Sequence, residues 1–188
     1  MLKPFCARHL EAYVDLINLA SDATYIDYML ADYHKQWIKL AEVGVKGKNP
    51  YLASFHNNED ASGLLADHVE ALKTLPAPLN AFEKFKRAGM TDEYRSVYNS
   101  LCNESHNNIR ALTSRHFRMV GEDKVDLIIF DDLDKNTLAT ALDGFIAILN
   151  GSNYIIHDYF KTDAQTEVAE FQKRREKKGP IWEGEARA

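Results

Sequence analysis

The segment Pro4–Ala20 reads PFCARHLEAYVDLINLA, and the spacing of its apolar residues decides the fold class. These residues recur at steps of three and four, the period of an α-helix that turns one side toward a core. They are Cys6, Leu10, Tyr13, Val14, Ile17 and Ala20. A second, polar stripe with the same spacing contains Arg8, Glu11, Asp15 and Asn18. We therefore predict an amphipathic helix that packs through one face.

The same periodicity continues along the chain, with capping residues and prolines at the breaks. Further helices are predicted over about 22–43, 59–75, 79–88, 91–117, 136–160 and 163–178. The expected fold is all-α, an irregular helical bundle of five to seven helices, four of them long, with at most one short strand. Residues 1–178 are predicted to form a single domain, and 179–188 a flexible C-terminal tail. The strand would be Val125–Phe130 (VDLIIF), which, lacking a partner in the sequence, should be an extended loop or pair across a dimer.

The amino-acid composition is typical of a single globular domain. The chain has 188 residues, 45% hydrophobic and 27% charged, so one domain can bury a substantial core. Its two cysteines, Cys6 and Cys102, lie in apolar helical contexts and are expected to be reduced core thiols. No run approaches the roughly 18 apolar residues of a membrane span. We predict a cytoplasmic protein with no membrane partner, and the net charge of −5 argues against coating nucleic acid by charge alone.

For two charged segments of the sequence, a structural interpretation is favoured over a functional one, and no metal site is predicted. The acidic turn from Asp131 to Asn136 could begin a calcium loop with Asp143 at its twelfth position, but Thr137 stands where that loop needs glycine. Helix capping is the favoured interpretation. The basic run 173–178 ends a helix, where cations complement the dipole, and is interpreted as a solvated face. No His/Cys/Glu set has metal-ligand spacing, so we predict no metal and no cofactor.

The most informative stretch is 91–117, TDEYRSVYNSLCNESHNNIRALTSRHF. His106 and Arg110 are four residues apart and should share one helical face. A histidine and an arginine on a core-leaning face need polar partners, and Glu11 and Asp15 of the first helix are candidates. The cluster is either a satisfied network that fixes the register of the bundle or a functional site.

Arg110 and His116 flank five residues, a spacing that resembles the motif of the HEPN ribonucleases, helical bundles that cut RNA without a metal. The resemblance implies that histidine takes the ribose 2′-hydroxyl proton near neutral pH while arginine stabilises charge on the phosphate. On an unbroken helix a separation of six places the two side chains about 120° apart. A local distortion or a second subunit would have to bring them together.

A second resemblance rests on Ala7-Arg8-His9-Leu10-Glu11-Ala12 and on Tyr94-Arg95 followed by Leu101-Cys102-Asn103-Glu104-Ser105-His106. These pieces are similar to the signatures of a bacterial family of helical proteins known only as a domain of unknown function. The resemblance covers roughly residues 5–120 and implies that Arg8, Glu11 and His106 are characteristic polar positions. Because the chain opens on the first signature, we expect the family to carry helices upstream of it.

Two functional hypotheses follow. The first is a metal-independent, HEPN-like ribonuclease or toxin-type effector with RNA as its partner. His106 or His116 would be the acid/base and Arg110 the phosphate clamp, in a cluster with Arg8 and Glu11. The second is a non-catalytic helical module of a bacterial defence or regulatory system that binds another protein or forms a homo-oligomer, most simply a dimer. The sequence leaves open whether the protein is an enzyme.

Overall fold

A computed structural model describes residues 2–46, 49–56, 58–105, 109, 113, 116–121, 124–128 and 135–178. The first half contains α1 (Leu2–Ser21), α2 (Tyr25–Lys46), a 3₁₀-helix (Pro50–Phe55), α3 (Glu59–Lys73) and α4 (Ala81–Arg87). The central segment consists of α5 (Thr91–Glu93), a π-helical turn (Tyr94–Tyr98) and α6 (Asn99–Ser105). After it come β1 (Phe117–Met119), β2 (Val125–Leu127), α7 (Lys135–Tyr159) and α8 (Gln165–Lys178).

The all-α prediction is confirmed, with corrections in detail. The longest helices of the described chain are α1, α2, α3, α7 and α8. The predicted strand does have a partner: β1 pairs antiparallel with β2, aligning Phe117 with Leu127 and Met119 with Val125. The described residues 109, 113 and 116 are helical, and the chain becomes extended at Phe117. The sequence does not reveal this partner, because Phe117–Met119 directly follows a helical pattern that is predicted to run to residue 117.

Contacts along the chain group it into two compact units, residues 21–84 and residues 1–20 with 85–188. Each unit is described by itself, and the single domain over 1–178 stays a prediction. None of the helices in the described part of the chain is long and apolar enough to cross a membrane. The tail over 179–188 lies outside the described residues.

In the unit of residues 21–84, polar side chains begin the helices as the sequence predicts. The Asp22 carboxylate accepts hydrogen bonds from the Thr24 backbone N–H at 2.9 Å and the Thr24 hydroxyl at 2.7 Å, just before α2. The Asn58 side chain accepts from the Ala61 N–H at 3.2 Å and caps α3. Such caps satisfy backbone donors that a helix start leaves unpaired.

Gly44 has a packing role that the sequence did not reveal. It was predicted to end α2, but the helix continues to Lys46 and Gly44 is buried within it. A Cβ atom built at this position would lie 2.8 Å from Phe55 Cβ. The missing side chain therefore lets the 3₁₀-helix approach the backbone of α2 closely.

In the unit of residues 1–20 with 85–188, α1 supplies the core. Its buried face contains Ala7, Leu10, Val14 and Asn18. Asn18 was predicted on the polar stripe, but it is only 2% exposed, so the buried face is rotated relative to the prediction. Helix α7 approaches α1 closely, because a Cβ on Gly151 would lie 2.7 Å from the Tyr13 hydroxyl oxygen.

The second part of this unit, from residue 85 onward, begins with the end of α4. Gly89 has φ 74°, a left-handed conformation that glycine adopts without strain. The Gly89 N–H donates to the Lys86 carbonyl at 3.2 Å, and the Met90 N–H donates to the Phe85 carbonyl at 2.9 Å. The left-handed glycine and these two bonds form a helix-ending motif of the Schellman type.

We expect Gly44→Ala to lower the free energy of unfolding by about 1–3 kcal/mol, because its methyl group would overlap Phe55. The control is Gly63→Ala in α3, where a Cβ would meet no atom within 4 Å. There alanine should stabilise by about 0.5–1 kcal/mol through its higher helix propensity. Urea unfolding of both variants checks the pair, and equal stabilisation by both would show that the close approach at Phe55 does not exist.

Candidate functional site

An aromatic cluster supports the central segment. Phe85 is completely buried, with its ring centroid 5.4 Å from that of Tyr94 and 4.8 Å from that of Tyr98. The rings of Tyr94 and Tyr98 are stacked at 5.3 Å. Both tyrosines belong to the π-helical turn, a distortion that is often found at functional sites. The wider turn brings two residues four positions apart onto the same buried ring.

The hydroxyl of Tyr98 donates a short hydrogen bond to the carboxylate of Glu11. This contact joins α1 to the central segment. Burial of the ring, together with hydrogen bonds to Glu11 and Cys102, raises the pKa of the Tyr98 phenol far above its ordinary value. The phenol therefore stays protonated and acts as a fixed donor.

Arg8 lies three residues before Glu11 on α1, so the two side chains share one helical face. Arg8 is exposed, so its guanidinium can meet an anion from solvent. Between them His9 packs edge-on against Phe145 of α7, with ring centroids 5.1 Å apart. This histidine has a packing role, while Arg8 is exposed to solvent and Glu11 contacts Tyr98 of the central segment.

His116 lies where the helical pattern ends and the β-hairpin begins. Its ring Nδ1 is 3.0 Å from the carbonyl oxygen of Ile128, and the Ile128 N–H donates to the His116 carbonyl at 2.7 Å. The imidazole is half-buried. Ile128 thus holds both the backbone and the ring of His116 at the open end of the hairpin.

The structure brings together some of the predicted site residues. Glu11 meets Tyr98, with Arg8 one turn away, and His116 meets Ile128. His106 and Arg110 lie outside the described residues, so their predicted contact with Glu11 stays a prediction. Cys102 is half-buried beside Tyr98 rather than a core thiol, and the side chain of Cys6 is not among those described.

The predicted capping role of the acidic turn stays a prediction, and the basic run is exposed, as predicted, apart from Arg175 among its described side chains. Residues 131–134 of the acidic turn lie outside the described part of the chain. Asp143, the twelfth position of the calcium alternative, accepts a hydrogen bond from Arg175 at 2.7 Å, which ties α8 to α7. In the basic run Lys173, Arg174 and Lys177 are exposed. Within the described residues no group of three or more His, Cys, Asp or Glu side chains could hold a metal ion.

Sequence reasoning missed Tyr98 and a histidine pair. Tyr98 is not among the predicted site residues, although a buried tyrosine needs a partner for its hydroxyl. His34 of α2 and His68 of α3 approach with their Nδ1 atoms 2.8 Å apart. A signal existed, since each histidine interrupts the apolar stripe of its helix and the two helices are consecutive in the chain.

We expect Tyr98→Phe to lower the free energy of unfolding at pH 7 by about 1–2 kcal/mol, through loss of the bond to Glu11. Because the folded-state pKa of Tyr98 is raised, this contribution is present below pH about 10 and is lost as pH rises above it. The difference in free energy of unfolding between Tyr98→Phe and the wild type should therefore shrink by up to about 1.4 kcal/mol for each pH unit above pH about 10. Urea unfolding at pH 7 and pH 11 measures it.

Tyr51→Phe is the matched control, because Tyr51 is 93% exposed and should have no effect at either pH. A Tyr98→Phe difference that is constant or grows between the two pH values would contradict the assignment of a raised phenol pKa.

Comparison with known proteins places the site within a family. Residues 8–125 match the family of unknown function DUF5677, a span that includes Arg8, Glu11, Tyr98, His106 and His116. No curated protein and no solved structure shows significant similarity to the chain. The resemblance stated from the two sequence signatures is thereby confirmed. Because the match covers well over half of its residues, the chain belongs to the family of unknown function DUF5677.

Proposed function

We propose that this protein is a metal-independent ribonuclease, HEPN-like or of the toxin-effector type, with His116 as its general acid and base. The observation that carries the proposal is the 3.0 Å hydrogen bond between His116 Nδ1 and the Ile128 carbonyl oxygen. A carbonyl only accepts, so the proton of the neutral ring is on Nδ1. The basic lone pair is then on Nε2, as a general base requires.

The hairpin supports this role by holding the ring in place. His116 and Ile128 form the backbone pair at its open end, and β1 and β2 pair over the next three residues of each strand. A ring held by its own strand partner loses little freedom when substrate arrives. Half-burial leaves part of the imidazole open to solvent.

In the proposed reaction Nε2 takes the proton of a ribose 2′-hydroxyl while the 2′-oxygen forms a bond to the adjacent phosphorus. The bond from phosphorus to the 5′-oxygen breaks, and the imidazolium returns its proton to that oxygen. The products are a 2′,3′-cyclic phosphate and a 5′-hydroxyl. RNA is therefore the proposed partner, since DNA lacks the nucleophile.

An arginine beside the phosphate would stabilise the charge of the transition state. The HEPN motif assigns this role to Arg110, and the exposed Arg8 offers a second cation on α1. The bond from Tyr98 to Glu11 supports the arrangement by holding α1, and with it Arg8, against the central segment. His106 stays the alternative acid/base because it belongs to the family signature.

The test is incubation of labelled single-stranded RNA with the protein in excess EDTA. His116→Asn should lower the cleavage rate about 10²–10⁴-fold, because asparagine can still donate to the Ile128 carbonyl but cannot take a proton. Arg110→Ala should lower the rate by a similar factor. An oligonucleotide with one 2′-deoxyribose should resist cleavage at that position only.

His157→Asn provides the matched control. His157 Nδ1 is also hydrogen-bonded, to the Thr162 hydroxyl oxygen at 2.5 Å near the end of α7, yet it has no proposed catalytic role. This variant should cleave at the wild-type rate. The ribonuclease proposal ends if the wild type does not cleave, or if His116→Asn, His106→Ala and Arg110→Ala all cleave at the wild-type rate.

A second candidate function, a dimerisation module, is favoured by the outer face of the hairpin. Side chains alternate between the two faces of paired strands. Phe117, Met119, Val125 and Leu127 share one face, and Arg118 and Asp126 share the other. The four apolar residues are 48%, 62%, 53% and 64% exposed. A two-stranded hairpin with an uncovered apolar face is marginal in water, so a covering surface would stabilise it.

We propose that a second copy of the chain covers this face. Backbone bonds join residues 116 with 128 and 120 with 124, so the apolar pairs are the non-hydrogen-bonded ones, whose side chains lie closest together. An antiparallel hairpin presents a nearly self-complementary face about a two-fold axis. The four side chains expose on the order of 400 Å², about half of the roughly 800 Å² that a stable interface buries per partner.

We expect Leu127→Asp to convert a dimer into a monomer in sedimentation experiments, because it buries an unpaired charge at the centre of the proposed interface. Val120→Asp is the matched control: Val120 is 46% exposed but lies on the opposite face of the hairpin, so the dimer should persist. A monomeric wild type, or a dimer that both variants leave intact, removes this candidate.

A further inference from the structure

The histidine pair of the other compact unit has no role in either proposed function. His34 lies on α2 and His68 on α3, with ring centroids 5.0 Å apart and Nδ1 atoms 2.8 Å apart. Both side chains are half-buried. Trp37, one turn after His34, stacks parallel to the His68 ring, with 5° between the planes and centroids 6.0 Å apart. The two imidazole nitrogens therefore face one another at hydrogen-bond distance in a half-buried position.

A hydrogen bond between two imidazole rings is an unusual arrangement for a histidine in a protein, because both rings can bind the proton. When both rings are neutral, one Nδ1 donates to the lone pair of the other, so a single proton lies between two bases. A structural histidine more often donates to a carbonyl or a carboxylate, which have no proton to compete. If both rings instead carry their protons on Nε2, the two Nδ1 lone pairs converge. A cation can then take the place of the shared proton.

We propose that His34 and His68 bind a divalent transition-metal ion, copper(II) most tightly and nickel(II) next. Soft-borderline imidazole nitrogen suits these ions, and copper(II) heads the affinity order of the divalent series. Water would supply the remaining ligands, because no third His, Cys, Asp or Glu of the described chain joins the pair in a metal-sized group. Partial exposure of both rings gives the hydrated ion access.

The separation of the two nitrogens selects the geometry. At a metal–nitrogen distance of about 2.0–2.1 Å, two ligands at a right angle are roughly 2.9 Å apart, whereas tetrahedral ligands are roughly 3.4 Å apart. The observed 2.8 Å is closer to the right-angle separation. Because the ring centroids are 5.0 Å apart, the two nitrogens lie nearly on the line between the rings, and each ring would have to turn to direct its lone pair at the ion. Square-planar and tetragonal sites are typical of copper(II) and nickel(II), while structural zinc sites are tetrahedral. The pair therefore favours copper(II) over zinc.

Binding would join α2 to α3 through both imidazoles. An ion that binds only the folded arrangement stabilises it in proportion to the logarithm of its concentration over the dissociation constant. The ion would thus act on the stability of the unit formed by residues 21–84. The proposal is independent of RNA cleavage, which is assigned to residues of the other unit.

The test uses Trp37 as a reporter in the full-length Trp182→Phe protein, which leaves one of the two tryptophans. Copper(II) chloride is added in a buffer containing glycine as a competing weak chelator. We expect saturable quenching of Trp37 fluorescence at one equivalent, with nickel(II) weaker and zinc weaker still. His34→Gln or His68→Gln should weaken copper binding about 10-fold or more, because one imidazole ligand is lost.

His157→Asn is again the control and should bind copper(II) as the parent does. Electron paramagnetic resonance of the parent protein gives a measurement that does not depend on folding of the variants. Hyperfine coupling to two imidazole nitrogens supports the site. A spectrum with one or no imidazole nitrogen, quenching that does not saturate, or unchanged binding in both glutamine variants overturns it.

Discussion

The hydrogen bond between Tyr98 and Glu11 connects residues that are 87 positions apart in the chain. It fixes the face of α1 that meets the central segment, and therefore where Arg8 lies. The same tyrosine rests on the buried ring of Phe85, which in turn depends on the glycine-terminated end of α4. The hydroxyl and the ring of Tyr98 thus make two contacts, one polar and one aromatic. Together they determine how the signature region around Arg8 and Glu11 aligns with the signature region of the central segment.

The β-hairpin separates two kinds of surface. Its open end holds the His116 imidazole through Ile128, and its apolar face consists of Phe117, Met119, Val125 and Leu127. The arrangement allows chemistry and association to be carried by different atoms of the same short element. A charge introduced on the apolar face need not disturb the imidazole, which makes the two proposed roles experimentally separable.

Much of the scaffold could be predicted from local chemistry. Asp22, Asn58 and Gly89 end or begin helices through contacts within a few residues, and such contacts are visible in a sequence. The pairing of β1 with β2 could not be predicted in the same way, because the first strand reads as the end of a helix. The role of Gly44 depends on Phe55, a neighbour set by packing rather than by spacing.

In the candidate site, too, some features follow from local sequence spacing and others depend on tertiary packing. Spacing predicted that Arg8 and Glu11 share a helical face, and the structure places them so. It could not name Tyr98 as the partner of Glu11, because periodicity does not say which helices meet. The convergence of His34 and His68 is likewise a tertiary fact, since each residue alone looks like an interruption of an apolar stripe.

The π-helical turn over Tyr94–Tyr98 affects how this chain should be compared with its relatives. A π-turn holds one residue more than the α-turn it replaces, so every later side chain is rotated by about 100° around the helix axis. A relative that lacks one residue here would form a regular helix whose downstream positions are offset by one. An ungapped alignment through this point would then equate side chains that point in different directions, and functional residues should be matched separately on either side of it.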